Sequence, residues 1–304
     1  MTALLQIVFD ALSLGSLYAI CALGIALIFG VMRLVNFAQG DYIAFCVFAL
    51  LWPSINAAAI VFIGNLPWFV LVPVVLAFGA GISVISEMLV FRRFRNANPA
   101  TMMIASFAVG FVIQHVLLLL FSSRPKSINL WPALSLPVEI FGARIPLLQL
   151  ITIVITIAIL VALTAFLRRT RYGLDMRAAA ENFTMARMLG VRANRVIRLA
   201  FAISGALAAA VGLILVNQTG TADIQMGVSV MLVAFIATVI GGLGSLTGAV
   251  LAGYLIGAAS VVMQVVLPLD ARPFRDAFVY GAVIVLLIWR PQGLFAPSSN
   301  KQRI

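Results

Sequence analysis

The chain has 304 residues, 63% of them hydrophobic and only 10% charged, with a mean hydropathy of +1.16. A soluble domain carries about a quarter charged residues, so a water-covered globule is excluded, and the apolar runs do not alternate as the strands of a membrane barrel must. The formal net charge of +11 does not point to nucleic acid, because the basic residues gather at the ends of apolar runs, where orientation signals belong.

Apolar runs of about 20 residues, enough to cross a bilayer as helix, recur along the sequence. The expected fold is all-α, a polytopic membrane helical bundle of about eight or nine transmembrane helices forming a single domain over residues 1–304. Met1-Thr2-Ala3 lacks the basic start of a cleavable signal, so the first span, about Leu5–Phe29, is expected to be retained. Asp10 lies near its outer end and is expected to reach the interface. A polar hinge from Arg33 to Asp41 follows and carries Asn36, Gln39 and Asp41. These three either cap a helix, Asp41 being favourable near a helix N-terminus, or line a path through the membrane.

The second span is expected to run from the hinge to about Ile63, bent at Pro53. The third runs from Pro67 to Phe91, closed by Arg92, Arg93 and Arg95, with Glu87 in its last turns. An ionised carboxylate in hydrocarbon is costly unless paired, and Arg92 and Arg93 are the expected partners. The fourth span, Ala100–Phe121, holds Gln114 and the single histidine, His115. One His with no nearby Cys does not make a metal site, and a helix–helix hydrogen bond is the favoured reading over a proton relay. A proline-containing loop, Ser122–Arg144, leads to the fifth span, Pro146–Leu167.

Arg168–Arg198 is the one long segment of concentrated charge, with eight of the 20 basic residues. Its middle, Leu174–Leu189, reads as a short helix outside the hydrocarbon. Asp175 is placed to cap its start, and Gly190 to end it in a left-handed conformation. Met176, Ala179/Ala180, Phe183, Ala186 and Leu189 recur on one narrow apolar face. Such a face either lies on the membrane or docks into a groove on a partner subunit.

The sixth span covers Leu199–Val216, and Asn217–Gly227 is a loop without basic residues. From Val228 to Leu267 the apolar run is broken by Gly-Gly-Leu-Gly-Ser-Leu-Thr-Gly at 241–248, and the piece before the break is too short for an upright crossing. Gly242 and Gly244 either let helices approach closely, the favoured role, or free backbone groups to face a solute beside Ser245 and Thr247. The last span is Asp276–Trp289. Cys21 and Cys46 fall inside spans, which argues against a disulfide framework.

If residues 168–198 are cytoplasmic, alternate loops place 15 of the 20 basic residues on that side. That bias predicts the N-terminus outside and the C-terminus inside, with an odd number of spans, nine if the glycine-broken region crosses twice. No phosphate-binding loop is present, since neither lysine, Lys126 nor Lys301, stands in a Gly-x-x-x-x-Gly-Lys-Ser/Thr motif. The chain is therefore not expected to be an enzyme, nor to bind a cofactor itself.

Three stretches carry a resemblance. Ala178-Ala179-Ala180-Glu181, followed by Ala186-Arg187-Met188-Leu189-Gly190-Val191, resembles the coupling-helix loop of ABC-transporter permeases, although Glu181 follows the alanines instead of preceding them. Ser13-Leu14-Gly15-Ser16-Leu17-Tyr18-Ala19-Ile20 through Val35-Asn36-Phe37-Ala38-Gln39-Gly40-Asp41 resembles the opening of Liv-type, H-like branched-chain amino acid ABC permeases. Gln39 and Asp41 stand where His and Glu are common in that family. The run from Gly241 to Gly253 resembles the family's late glycine-rich stretch.

The resemblance implies a multi-pass permease subunit of an ABC importer in the bacterial cytoplasmic membrane, translocating branched-chain or related amino acids. Residues 168–198 would be its cytoplasmic coupling loop, with Asp175, Ala179, Ala180, Glu181, Phe183, Ala186, Leu189 and Gly190 meeting an ATPase. Asn36, Gln39, Asp41, Gln114, His115, Gly242, Gly244, Ser245 and Thr247 are candidates for the translocation path. The implied partners are a second homologous permease, two cytoplasmic ATPase subunits that hold ATP and Mg, a periplasmic solute-binding protein and the bilayer. A stand-alone secondary transporter or channel is the alternative.

Overall fold

The computed structural model describes residues 2–54, 61–63, 66–95, 97–128, 130–131, 134, 136–140, 143–290 and 293–294. Apolar sequence surrounded by lipid must satisfy its own backbone, and helices dominate accordingly. They are α1 (Thr2–Met32), α2 (Gln39–Phe48), α3 (Trp68–Ser86), α4 (Arg92–Phe94), α5 (Pro99–Phe121), α6 (Leu147–Arg169), α7 (Arg171–Glu181), α8 (Phe183–Met188), α9 (Ala193–Thr219), α10 (Met226–Gly241), α11 (Leu246–Val266) and α12 (Arg275–Trp289). A π-helical turn, Glu87–Phe91, joins α3 to α4 without a break. Short antiparallel pairs join β1 (Lys126–Ser127) to β4 (Thr221–Ala222), and β2 (Pro137–Ile140) to β3 (Ala143–Pro146).

Among the described residues six helices are long and apolar enough to cross a membrane: α1, the continuous α3–α4 rod, α5, α6, α9 and α11. α10, with 16 residues, is a shorter apolar helix. The chain is thus a polytopic helical bundle.

It forms two compact units. One comprises Leu27–Leu130 and Ala162–Met231; the other comprises Met1–Ala26, Trp131–Val161 and Leu232–Ile304. In the first unit, α3 lies along α9 at very close range. A Cβ added at Gly79 or Gly205 would strike the other's backbone, the small-residue contact by which helices associate where lipid removes the hydrophobic drive. The rings of Phe91 and Phe201 continue the seam, with centroids 5.2 Å apart. α2 is buried along almost its whole length and packs on α9, α5 and α3. In the second unit the same device recurs between α1 and α11. A Cβ at Gly253 would meet the backbone of Ala19, and one at Gly257 that of Gly15, while the hydroxyls of Ser16 and Tyr254 lie 3.0 Å apart.

Several boundaries differ from the sequence expectation. The second span does not continue as helix to Ile63. α2 stops after ten residues, about 15 Å at 1.5 Å per residue, half the hydrocarbon thickness. The chain then doubles back: the Leu50 carbonyl accepts from Phe62 N at 2.9 Å, and Leu51 bridges Val61. Periodicity alone does not separate a helical from an extended path for a short apolar run. α9 starts at Ala193, six residues before the expected Leu199. Glu87 pairs with Arg95, not with Arg92 or Arg93, which are exposed. Asp10 is held by Gln149, whose Nε2 donates to it at 2.8 Å. Both cysteines are free and buried.

Candidate functional site

In the first unit the candidate residues gather where α1 ends. Arg33 closes α1 in a left-handed conformation (φ 56°), its N–H donating to the Phe29 carbonyl at 2.8 Å. Residues 34–38 then run buried to α2. The Asn36 Oδ1 accepts from Ala38 N at 3.2 Å, a local turn that competes with helix. Phe37 stacks on Phe107 with centroids 4.3 Å apart, and its N–H donates to the Ser106 hydroxyl at 3.2 Å, fixing the connection onto α5.

Gln39 is fully buried, and both ends of its amide bond to one partner. Its Nε2 donates to the Ser204 carbonyl and its Oε1 accepts from the Ser204 hydroxyl, both at 3.0 Å. Asp41 lies in the first turn of α2, where the helix dipole favours an anion. Its carboxyl faces the bare backbone of Gly110 on α5, and the Gln114 side chain, one turn further along, lies beside the same carboxyl. The Asp41 Oδ1 has no hydrogen-bond partner among the described residues. The Tyr42 hydroxyl lies beside the side chains of Ser86 and Asn36. Asn36, Asp41, Tyr42 and Ser86, all buried, and the half-buried Gln114 therefore form one polar cluster amid apolar helices.

His115 does not join it. The ring is exposed, its Nδ1 bonds the Phe111 carbonyl of its own helix at 2.8 Å, and it sits against the Phe111 ring. The expected helix–helix hydrogen bond is therefore replaced by one within α5, because residue 115 points away from α2.

Also in the first unit, the arginine-rich segment folds as two helices instead of one. Thr170 caps α7, its Oγ1 accepting from Gly173 N at 3.0 Å, and Asn182 caps α8, accepting from Met185 N at 3.1 Å. Asp175 is inside α7 and caps nothing. Gly190 ends α8 with φ 88°, and paired bonds from Val191 N to Ala186 O (3.0 Å) and Gly190 N to Arg187 O (3.1 Å) close a Schellman turn.

Met176, Ala179 and Ala186 share the buried face; Ala180 and Phe183 are half-buried. That face packs on this chain's own helices, α7 resting on α9, and Gly173 fits against the backbone of Phe166 and Leu167. The sequence expected Ala179 and Ala186 to meet a partner, but their burial turns them inward. Glu181 is exposed, and the outward apolar residues are Leu174, Met185, Met188 and Leu189, the last 85% exposed. Sequence reasoning missed Leu174, Met185 and Met188, although an apolar residue off the buried face of a polar helix was a usable signal. The Arg33 guanidinium donates to the Ala180 carbonyl at 3.3 Å, tying the segment to the end of α1.

The second unit holds the glycine turn. α10 ends at Gly241, and Gly242 (φ 90°) and Gly244 (φ 92°) adopt left-handed conformations that only glycine takes without strain. Ser245 caps α11, its Oγ accepting from Gly248 N at 3.1 Å. Gly241 and Gly248 press backbone to backbone, and Leu294 N donates to the Ile240 carbonyl at 2.7 Å. Here the glycines serve close packing between α10 and α11. Thr247 is exposed in the first turn of α11.

Comparison with known proteins places this arrangement. The family described as "Branched-chain amino acid transport system / permease component" matches residues 7–288. Similar relatives include the high-affinity branched-chain amino acid transport system permease protein BraD of Pseudomonas aeruginosa, 31% identical over 95% of each chain. LivH of Escherichia coli, named for the same high-affinity system, is 30% identical over 95% of this chain and 94% of its own. A probable branched-chain amino acid permease, LivH, of Methanocaldococcus jannaschii is 28% identical over 94% of this chain and 89% of its own.

Proposed function

Since the chain belongs to the branched-chain amino acid transport permease family and is a multi-pass membrane permease, we propose that it carries branched-chain or closely related amino acids inward across the bacterial cytoplasmic membrane as one permease of an ABC importer. ATP and Mg reside on two separate cytoplasmic ATPase subunits. A periplasmic binding protein delivers the solute, and a second homologous permease completes the path. The observation that carries the coupling part of this reading is the segment α7–α8. It is capped at both starts, seated on its own unit by Met176, Ala179 and Ala186, and presents Met185, Met188 and Leu189 outward. Exposed apolar residues on an otherwise polar segment suit a partner's groove.

ATP hydrolysis moves the ATPases, the segment moves with them as a rigid body, and the membrane helices follow. The polar cluster of Asn36, Asp41 and Gln114 supports a path that receives the polar end of an amino acid, since polar groups kept inside a membrane protein mark solute routes.

The test is reconstitution with the cognate ATPases and binding protein. Met188→Glu and Leu189→Glu place charge on the outward face and are expected to abolish leucine uptake and binding-protein-stimulated ATP hydrolysis, while the protein still inserts. Normal uptake in both variants would sink the docking site. Uptake of leucine by the chain alone under an ion gradient would overturn the importer reading itself.

A further inference from the structure

The base of the α3–α9 seam carries a charged group that stability alone does not require. Glu87 opens the π-helical turn after α3, and its side chain is wholly buried. Its partner is the Arg95 guanidinium, at the C-terminal end of α4, with 19% of the side chain exposed. A second nitrogen of the same guanidinium, Nη1, donates to Asn194 Oδ1 at 2.5 Å. Asn194 is the second residue of α9, four residues beyond the Gly190 turn that ends the coupling segment. One arginine thus joins three parts: the end of the α3 rod, a buried carboxylate in its π turn, and the start of the helix that follows α8.

Burying such a pair costs desolvation that its attraction barely repays, and apolar residues of similar size commonly serve as well or better. What a guanidinium supplies and an apolar contact does not is a directional link with fixed geometry. π turns are rare and recur at functional positions. Further along the seam, Phe91 lies on Phe201 and Gly79 on Gly205, so the link sits at the end of a continuous contact between the α3 rod and α9.

We propose that Arg95 is a positioning residue that transmits displacement of the coupling segment to α3 through the Glu87–Arg95–Asn194 link. This rests on the reading that α7–α8 dock on an ATPase. α9 begins three residues after Gly190, so its first turn follows α8; Arg95 grips that turn, and Glu87 holds the guanidinium against α3. Removing Arg95 alone would strand a buried carboxylate and unfold the region. Asn194 is exposed, so its replacement breaks the link without that penalty.

The experiment uses the complete transporter in proteoliposomes, with uptake of radiolabelled leucine, isoleucine or valine, whichever the wild type takes fastest, and ATP hydrolysis measured on the same preparation. Asn194→Leu is expected to lower uptake about tenfold, the size of a typical coupling between linked sites, with ATP hydrolysis within about twofold of wild type. Asn194→Asp keeps the acceptor and is expected to restore uptake. The double replacement Glu87→Met with Arg95→Met is expected to melt no lower than wild type yet show the same fall in uptake. Unchanged uptake in Asn194→Leu, equal loss in Asn194→Leu and Asn194→Asp, or full uptake in the double variant would each overturn the link while leaving the docking reading standing. ATP-independent behaviour of the wild type would instead remove the docking reading.

Discussion

At position 110 a hydrogen atom decides how closely α5 can approach α2. The Asp41 carboxyl occupies the place a side chain at Gly110 would fill. Gly110→Ala is therefore expected to destabilise the fold by about 1–3 kcal/mol, the range for forcing an extra methyl into a filled core. Asp41→Ala in the same chain should recover most of that loss, because the two changes share one space and are not additive. Thermal unfolding in detergent checks this; a double variant no more stable than Gly110→Ala would show that the clash lies elsewhere. The reciprocal Gln39–Ser204 pair supplies a second case. Ser204→Ala leaves the buried Gln39 Oε1 without its hydroxyl donor and should cost about 1–3 kcal/mol, while adding Gln39→Leu should cost little more, since removing both polar partners avoids the orphan. The sequence put Asn36, Gln39 and Asp41 side by side in a polar hinge. It could not show that Gln39 is consumed by a serine 165 positions away, because hydrogen-bond partners across helices leave no local pattern.

The coupling segment shows what periodicity reveals about an element and what it leaves open. Spacing of 3.6 residues brought Met176, Ala179 and Ala186 onto one face, and the structure buries that face. Periodicity cannot say whether a buried face meets the same chain or another one, and here it meets the same chain. Periodicity puts Leu189 on that face as well, but it is exposed, because the helix is interrupted at Asn182 and the phase restarts in α8. Asn182 is legible as a capping type, yet no glycine or proline beside it marks a stop. Asn182→Ala should therefore cost the segment about 0.5–2 kcal/mol, whereas Asp175→Ala, inside α7, should stay within about 0.5 kcal/mol, as surface changes do. Amide exchange over residues 171–189 measures both; equal acceleration in the two variants would return the cap to Asp175. The second span failed for a related reason: residues 49–63 are apolar enough for helix, and only the hydrogen bonds from Phe62 and Ile63 back to Leu50 reveal the fold-back.

For the molecule as a whole, composition alone excluded every water-soluble class, and the recurrence of long apolar runs foretold a helical bundle; six such helices stand among the described residues. Its direction in the membrane is argued from charge. Eight arginines lie between Arg168 and Arg198, against five basic residues in the opposite loops, and the positive-inside bias favours the arginine-rich segment on the cytoplasmic side. Two exposed positions then become opposite reporters: Met188, 77% exposed at the end of α8, and Leu269, 74% exposed in the turn between α11 and α12. With Cys21 and Cys46 replaced by alanine, Leu269→Cys is expected to react with a membrane-impermeant maleimide on right-side-out vesicles, and Met188→Cys only after the membrane is opened. The reverse pattern would turn the molecule over and, with it, take the coupling segment out of reach of any cytoplasmic ATPase. Labelling of both positions from one side would instead require an even number of crossings between Met188 and Leu269, so that α9, α10 and α11 could not each cross once as the charge count implies.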